Sequence, residues 1–260
     1  MDLGIAGRWA IICGSSAGLG YACAEALSAE GVNVVINGRD AARLTAAAEE
    51  LRGLNGGGKV VEVQGDLLEP GTRELLLGAC PEPDIVVTNN GGPRPGPLRT
   101  ATEADWEQAL EGNMLVHLRL IDSVFDGMCE RRFGRIINIT SAMVIAPGPG
   151  MAVSSAARAG LTATVKGLSF GAAPYNVTIN NLLPYKIDSG RQIQVAHVTA
   201  EREGISFEEA RRRQTLPIAA RRLGRPEEFG AACAFFCSDL AGYISGQNLC
   251  LDGGTYPGLV

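Results

Sequence analysis

The chain has 260 residues, 46% hydrophobic and 20% charged, a length and composition that suit one well-packed α/β domain. A formal net charge of −5 supplies no chain-wide basic field, so a nucleic-acid partner is not expected, and the runs Arg211-Arg212-Arg213 and Arg221-Arg222 read as solvated or interface charges. No apolar run reaches the roughly 18 residues of a membrane-spanning helix. Two histidines leave too few imidazoles for a multi-histidine metal centre, and seven cysteines without a CxxC spacing read as reduced thiols.

Met1-Asp2-Leu3-Gly4 shows no basic start followed by an apolar run, so no signal peptide is expected and the location is read as cytoplasmic. The first strand is predicted over 9–13 and the first helix over 18–30, then a strand over 32–36 and a helix over 41–52. Further strands are predicted over 59–64, 84–88, 135–140, 176–183 and 248–251. Several are nearly continuous apolar runs, as strands covered on both faces are. Strands alternating with helices imply right-handed βαβ units, hence a Rossmann-type, doubly wound parallel sheet with helices on both faces. With no internal repeat or linker, residues 1–260 are expected to form a single dinucleotide-binding domain. The proline-rich segment from Gly91 to Pro97 reads as a stiff loop over the sheet edge. The most polar stretch, 186–218, reads as a mobile lid.

Gly14-Ser15-Ser16-Ala17-Gly18-Leu19-Gly20 lies between the first strand and the first helix. Glycines there let the chain turn tightly and bring backbone N–H groups against a pyrophosphate, which the helix N-terminus also favours. The alternative is a plain glycine-rich turn. After the second strand comes Asn37-Gly38-Arg39-Asp40. An NAD site usually puts a carboxylate here for the ribose 2′-hydroxyl; here that position is Gly38, and Arg39 suits a 2′-phosphate. NADP is therefore favoured, with NAD as the alternative. Asp40 also serves as a helix N-cap candidate.

With these residues the chain resembles the short-chain dehydrogenase/reductase family, near its 3-oxoacyl-(acyl carrier protein) reductase-like members, over nearly its whole length. The resemblance rests on Gly14 to Gly20, Asp66-Leu67, Asn89-Asn90-Gly91-Gly92, Asn113, Asn138-Ile139-Thr140-Ser141, the stretch from Arg222 to Glu228, and Gly246-Gln247-Asn248 through Asp252-Gly253-Gly254. It implies that Gly14, Ser16, Gly18, Leu19, Gly20, Arg39, Asp66, Leu67, Asn90, Pro184 and Ser189 hold the cofactor. It implies Asn113 and Ser141 as members of a catalytic tetrad, and a homotetramer or dimer packed through the helices carrying Asn113 and Arg158.

Two departures stand out. Where the family places a tyrosine thirteen residues after the serine, this chain has Ser154; where it places a lysine four further on, this chain has Arg158. Ala159-Gly160-Leu161 keeps the expected small-small-aliphatic pattern, so the register holds. The second is Pro184-Tyr185 in place of Pro-Gly.

A phenol starts near a pKa of ~10 and can be tuned toward neutrality, whereas an alkyl alcohol starts far higher. Ser154 is therefore a poor general acid. Arg158, one helical turn on, stays protonated and cannot relay a proton, though it can hold a ribose hydroxyl or clamp an anion.

Three readings follow: an NADP-dependent oxidoreductase acting on a carbonyl or CH–OH group of a small molecule, a non-redox enzyme acting on an anionic substrate, or a cofactor-binding member without turnover. In the first, the proton comes from Tyr185, with Lys186 adjacent, or from a water held by Ser141, Ser154 and Asn113. His117 reads as a packing or interface residue, and His197 as a lid residue able to reach substrate or as an exposed histidine. Trp106 reads as an anchor between helices.

Overall fold

The structure, a computed structural model, describes residues 1–54 and 56–259. Strands β1 (Trp9–Ile12), β2 (Asn33–Gly38), β3 (Val60–Gln64), β4 (Ile85–Thr88), β5 (Gly134–Ile139), β6 (Val177–Pro184) and β7 (Asn248–Leu251) form one sheet ordered β3-β2-β1-β4-β5-β6-β7, with every neighbouring pair parallel. The helices are α1 (Gly18–Ala29), α2 (Ala41–Arg52), α3 (Pro70–Ala79), α4 (Glu103–Leu110), α5 (Val116–Arg131), α6 (Ala152–Ala172), α7 (Gly190–Glu203), α8 (Phe207–Thr215) and α9 (Pro226–Cys237).

Side chains alternate across each strand, and both faces are covered. Ala10, Ile12, Val34 and Ile36 pack with Leu27 of α1, Leu44 of α2 and Phe229 of α9. Ile11, Val35, Val86 and Ile136 pack with Leu76 of α3, Leu120 of α5 and Leu161 of α6 on the other side. This is the doubly wound Rossmann-type arrangement expected from the alternation of strands and helices.

Register is pinned by a line of polar side chains crossing four strands at paired positions. Thr88 donates to Asn138 (2.7 Å), Asn138 to Asn181 (3.1 Å) and Asn181 to Asn248 (2.8 Å). Buried polar groups are tolerated here because each finds a partner in its neighbouring strand.

Two local expectations are corrected. Asn37 and Gly38 do not belong to a loop; they extend β2, opposite Val63 and Gln64. Asn37 can sit buried in a strand because its side chain receives Gly14 N–H (3.3 Å) and donates to the carbonyls of Val63 (3.0 Å) and Gly65 (3.1 Å). The turn into α2 thus begins at Arg39, and Asp40 caps α2 by accepting from Arg43 N–H (3.0 Å). Asn113 does not sit in a regular helix but in a π-helical turn, Glu111–Leu115, joining α4 to α5. Such turns widen the helix locally and redirect side chains.

The segment 186–218 carries α7 and α8, laced to the end of β6. Lys186 Nζ donates to the Gln214 carbonyl (3.1 Å), Gln214 donates to the Gln192 carbonyl (2.8 Å), and Arg211 grips both carboxylate oxygens of Asp188 (2.7 and 2.8 Å). His197 stacks on Phe207, ring centroids 4.5 Å apart, tying α7 to α8. The basic run is matched by acids: Arg212 pairs with Glu209, and Arg213 with Glu203 and Glu209, while Arg222 pairs with Glu228. No helix among the described residues is long and apolar enough to cross a membrane.

Candidate active site

The loop between β1 and α1 turns at Gly14 and Gly18, both with positive φ (55° and 62°). Gly20 is required for a different reason: a β-carbon there would lie 2.3 Å from the Gly14 carbonyl oxygen. Asn89 braces the same turn by donating to that oxygen (3.1 Å). Ala17, the residue before α1, offers no side-chain acceptor to the helix. The first N–H groups of α1 therefore lack a cap, and an anion at this terminus would satisfy them. The loop fits a dinucleotide pyrophosphate.

At the end of β2, a β-carbon on Gly38 would lie 2.7 Å from both Cβ and Oγ of Ser16. A carboxylate at this position is shut out while Ser16 stays in place. Arg39 is the next residue, its side chain 77% exposed and 3.5 Å from Asp66, a separation that leaves the guanidinium free to take a stronger partner. The residues here fit a 2′-phosphate better than a free 2′-hydroxyl. Asp66 accepts from Leu68 N–H (3.0 Å), Leu67 is buried, and Asn90 donates to the Gly112 carbonyl (3.0 Å), joining this loop to the π-helical turn.

The interior of the site lies where β5 ends and α6 begins. Ser141 follows β5, and its hydroxyl accepts from Met143 N–H (3.1 Å). Ser154 and Arg158 lie on the buried face of α6, 5% and 8% exposed. Arg158 Nη1 donates to the Ile139 carbonyl (2.8 Å), two residues before Ser141, which fastens α6 to the strand end. Burial, with Arg191 second, pulls Arg158 down to about 10. His117, in the first turn of α5, is pulled down to about 3 by burial and then by the Arg158 charge, so it is neutral across the physiological range. Two buried acceptor-capable atoms here have no protein partner, Asn113 Oδ1 and His117 Nε2.

Pro184 ends β6, and Ser189 precedes α7 opposite the glycine loop: a β-carbon on Gly18 would lie 4.0 Å from Ser189 Cβ. Tyr185 continues the β6–β7 pairing through its N–H to Leu251 (3.0 Å). Lys186 Nζ, 5.5 Å from the Tyr185 ring centroid, makes its hydrogen bond to the Gln214 carbonyl and none to the phenol. Burial, followed by the Asp252 charge, pushes the Tyr185 phenol up. Trp106 packs with Ala109, Val153 and Ala157, between α4 and the start of α6. A cleft of about 320 Å³ opens beside it, lined by Arg94, Pro95, Pro97, Thr100, Asp105 and Val153.

One residue escaped the sequence reading. A β-carbon on Gly92 would lie 3.9 Å from Arg158 Nη2 and 4.0 Å from Arg191 Nη2, so two guanidinium groups converge over this glycine. Arg191 carries no local signal; only its proximity to Arg158 singles it out.

The profile of the family described as enoyl-(acyl carrier protein) reductase matches residues 14–256. The 3-oxoacyl-(acyl-carrier-protein) reductase FabG of Escherichia coli (strain K12) is 32% identical over 250 residues, 96% of this chain and 98% of that protein. The NADPH-dependent reductase BacG of Bacillus subtilis (strain 168) is 29% identical over 252 residues, 95% of this chain and 97% of that protein. The solved structure of L-sorbose reductase from Gluconobacter frateurii, complexed with NADPH and L-sorbose, superposes with a TM-score of 0.93 at 28% identity, covering 100% of both chains.

Proposed function

Because this chain belongs to the short-chain dehydrogenase/reductase family and is similar to its 3-oxoacyl-(acyl carrier protein) reductases, we propose that it is an NADP-dependent oxidoreductase acting on the carbonyl or CH–OH group of a small molecule. The reading rests most on one observation, the Ser16 side chain closing the Gly38 position beside the exposed Arg39. When bound, the nicotinamide supplies or takes the hydride. Gly14, Ser16, Gly18, Leu19 and Gly20 hold the pyrophosphate at the start of α1, with Arg39 on the 2′-phosphate. Asp66 and Leu67 serve the adenine end, and Asn90, Pro184 and Ser189 the nicotinamide end.

Ser141 polarises the substrate oxygen. Ser154 and Arg158 stand in place of the tyrosine and lysine, and neither gives up a proton readily. The orphaned Asn113 Oδ1 is a buried acceptor that calls for a donor, and a water held by Asn113, Ser141 and Ser154 fills that role, relaying to the substrate oxygen a proton that solvent replaces. Tyr185 is the second route; its phenol stays protonated at neutral pH, but Lys186 spends its hydrogen bond on the Gln214 carbonyl and not on the phenol. The segment 186–218 acts as a lid closing over the nicotinamide end. Exposed Leu110, Leu115 and Phe170 on the helices flanking Asn113 and Arg158 support assembly into a homotetramer or dimer, and we read the location as cytoplasmic.

The test is a fluorescence titration with NADPH and NADH in parallel, followed by a screen of carbonyl compounds. Saturable binding with NADPH tighter than NADH supports the reading; binding of neither overturns it. The buried, unneutralised Arg158 favours one further reading, a site that binds an anion without redox turnover. Tight NADPH binding with no reduction of any carbonyl would point there.

A further inference from the structure

We propose that Arg158 and Arg191 form an oxyanion subsite over Gly92, so that the substrate of this enzyme carries a carboxylate or phosphate close to its reacting carbonyl. The proposal rests on the oxidoreductase reading and adds the class of substrate to it.

Arg158 is more than nine-tenths buried, yet no carboxylate among the described residues lies within ion-pair distance of it. A buried charge is ordinarily paired, and leaving one unpaired costs several kcal/mol. His117, packed near it, is neutral and offers no countercharge. The second cation, Arg191, likewise has no ion-pair partner among the described residues, and the nearest acid in sequence, Asp188, is already gripped by Arg211. Two like charges brought together without an anion repel each other, and an oxyanion between them turns that repulsion into attraction.

The geometry directs the pair outward. Arg158 uses Nη1 on the Ile139 carbonyl, which fixes the plane of its guanidinium, and leaves Nη2 facing the space above Gly92. Arg191 Nη2 reaches the same space from α7. Gly92 is also the position where any side chain would fill that space. The cofactor's own anions are provided for elsewhere, the pyrophosphate by the uncapped start of α1 and the 2′-phosphate by Arg39. Ser154 lies one turn from Arg158 on the same face of α6, so an anion held here sets its neighbouring carbonyl toward Ser154 and Ser141.

The experiment uses the NADPH-loaded protein in chloride-free buffer and follows the bound cofactor's fluorescence while titrating benzoylformate, its methyl ester and dihydroxyacetone phosphate. We expect the free acid or the phosphate to bind at least ten-fold more tightly than the ester. Arg191→Gln, a change at an exposed position, should erase most of that preference and leave NADPH affinity unchanged. Which of the two anions binds better then assigns carboxylate or phosphate. Equal binding of acid, ester and phosphate overturns the proposal, as does an Arg191→Gln variant that loses NADPH affinity instead, since the pair would then grip the cofactor. If the wild type binds no NADPH, the oxidoreductase reading fails. The subsite is then judged by the same acid-against-ester comparison made by thermal shift without cofactor.

Discussion

Replacing Arg158 by methionine should make the ligand-free protein more stable. A guanidinium pulled from its ordinary range down to about 10 carries an unfavourable burial free energy on the order of 3 kcal/mol. The sign follows from the direction. The fold disfavours the charged form, so the penalty is fully present at pH 7 and is relieved only as pH rises from about 10 toward the ordinary arginine range. Methionine keeps much of the apolar stem and carries no charge. The loss is the hydrogen bond to the Ile139 carbonyl, which leaves a buried acceptor poorer by about 1 kcal/mol. The net gain is on the order of 2 kcal/mol, or about 4–8 °C in Tm for a domain of this size. Calorimetry at pH 7 in low salt, without cofactor or organic anions, reads it directly. A second melt with benzoylformate should raise the wild-type Tm and leave that of Arg158→Met in place. A variant that melts at or below the wild type would refute the reasoning, because Arg158 would then be compensated inside the fold.

Arg39→Asp should move the NADPH-to-NADH affinity ratio at least ten-fold toward NADH, and unchanged relative affinities in parallel titrations would remove Arg39 from the cofactor site. Gly20→Ala places a methyl group 2.3 Å from the Gly14 carbonyl oxygen, so it should cost about 1–3 kcal/mol of stability by overpacking and weaken NADPH binding at least ten-fold. His117, held near 3, should show imidazole proton shifts that stay flat from pH 8 to 5 in NMR. Because the unfolded chain protonates this group near its ordinary 6.5, stability should fall as pH drops from about 6.5 toward 3, by up to about 1.4 kcal/mol per pH unit from this residue. Restoring the family's pair with Ser154→Tyr and Arg158→Lys should raise reduction of a simple 1,2-diketone; no gain in a folded, NADPH-binding variant would mean that more of the site than these two positions has diverged.

The strands, their covering helices and the glycine loop were legible in the chain because each is a short-range property. β1 is a run of apolar residues, and the glycines that follow it meet the needs of one tight turn. The end of β2 was less legible. Asn37 looks like a loop residue by type, and only its three hydrogen bonds, to Gly14, Val63 and Gly65, make it a strand residue. The π-helical turn at Asn113 was hidden because Gly112 and Asn113, though weak helix formers, do not by themselves distinguish a widened turn from a regular one.

Ser154 and Arg158 were singled out by counting from Ser141, and the proposal that they replace a phenol and an amine rests on that count and on residue type. What that arginine faces could not be found by counting. Ser16 against Gly38, His117 beside Arg158, and Arg158 with Arg191 over Gly92 are contacts between segments far apart along the chain. Their charges and shapes meet because parallel strands bring all the loops at one end of the sheet together. The chain by itself determined the architecture and the kind of cofactor cradle, since turns, periodicity and residue chemistry act locally. Only the tertiary structure decided that two cations would share one space with no carboxylate among the described residues to pair them, because burial and charge proximity exist only after the chain has folded.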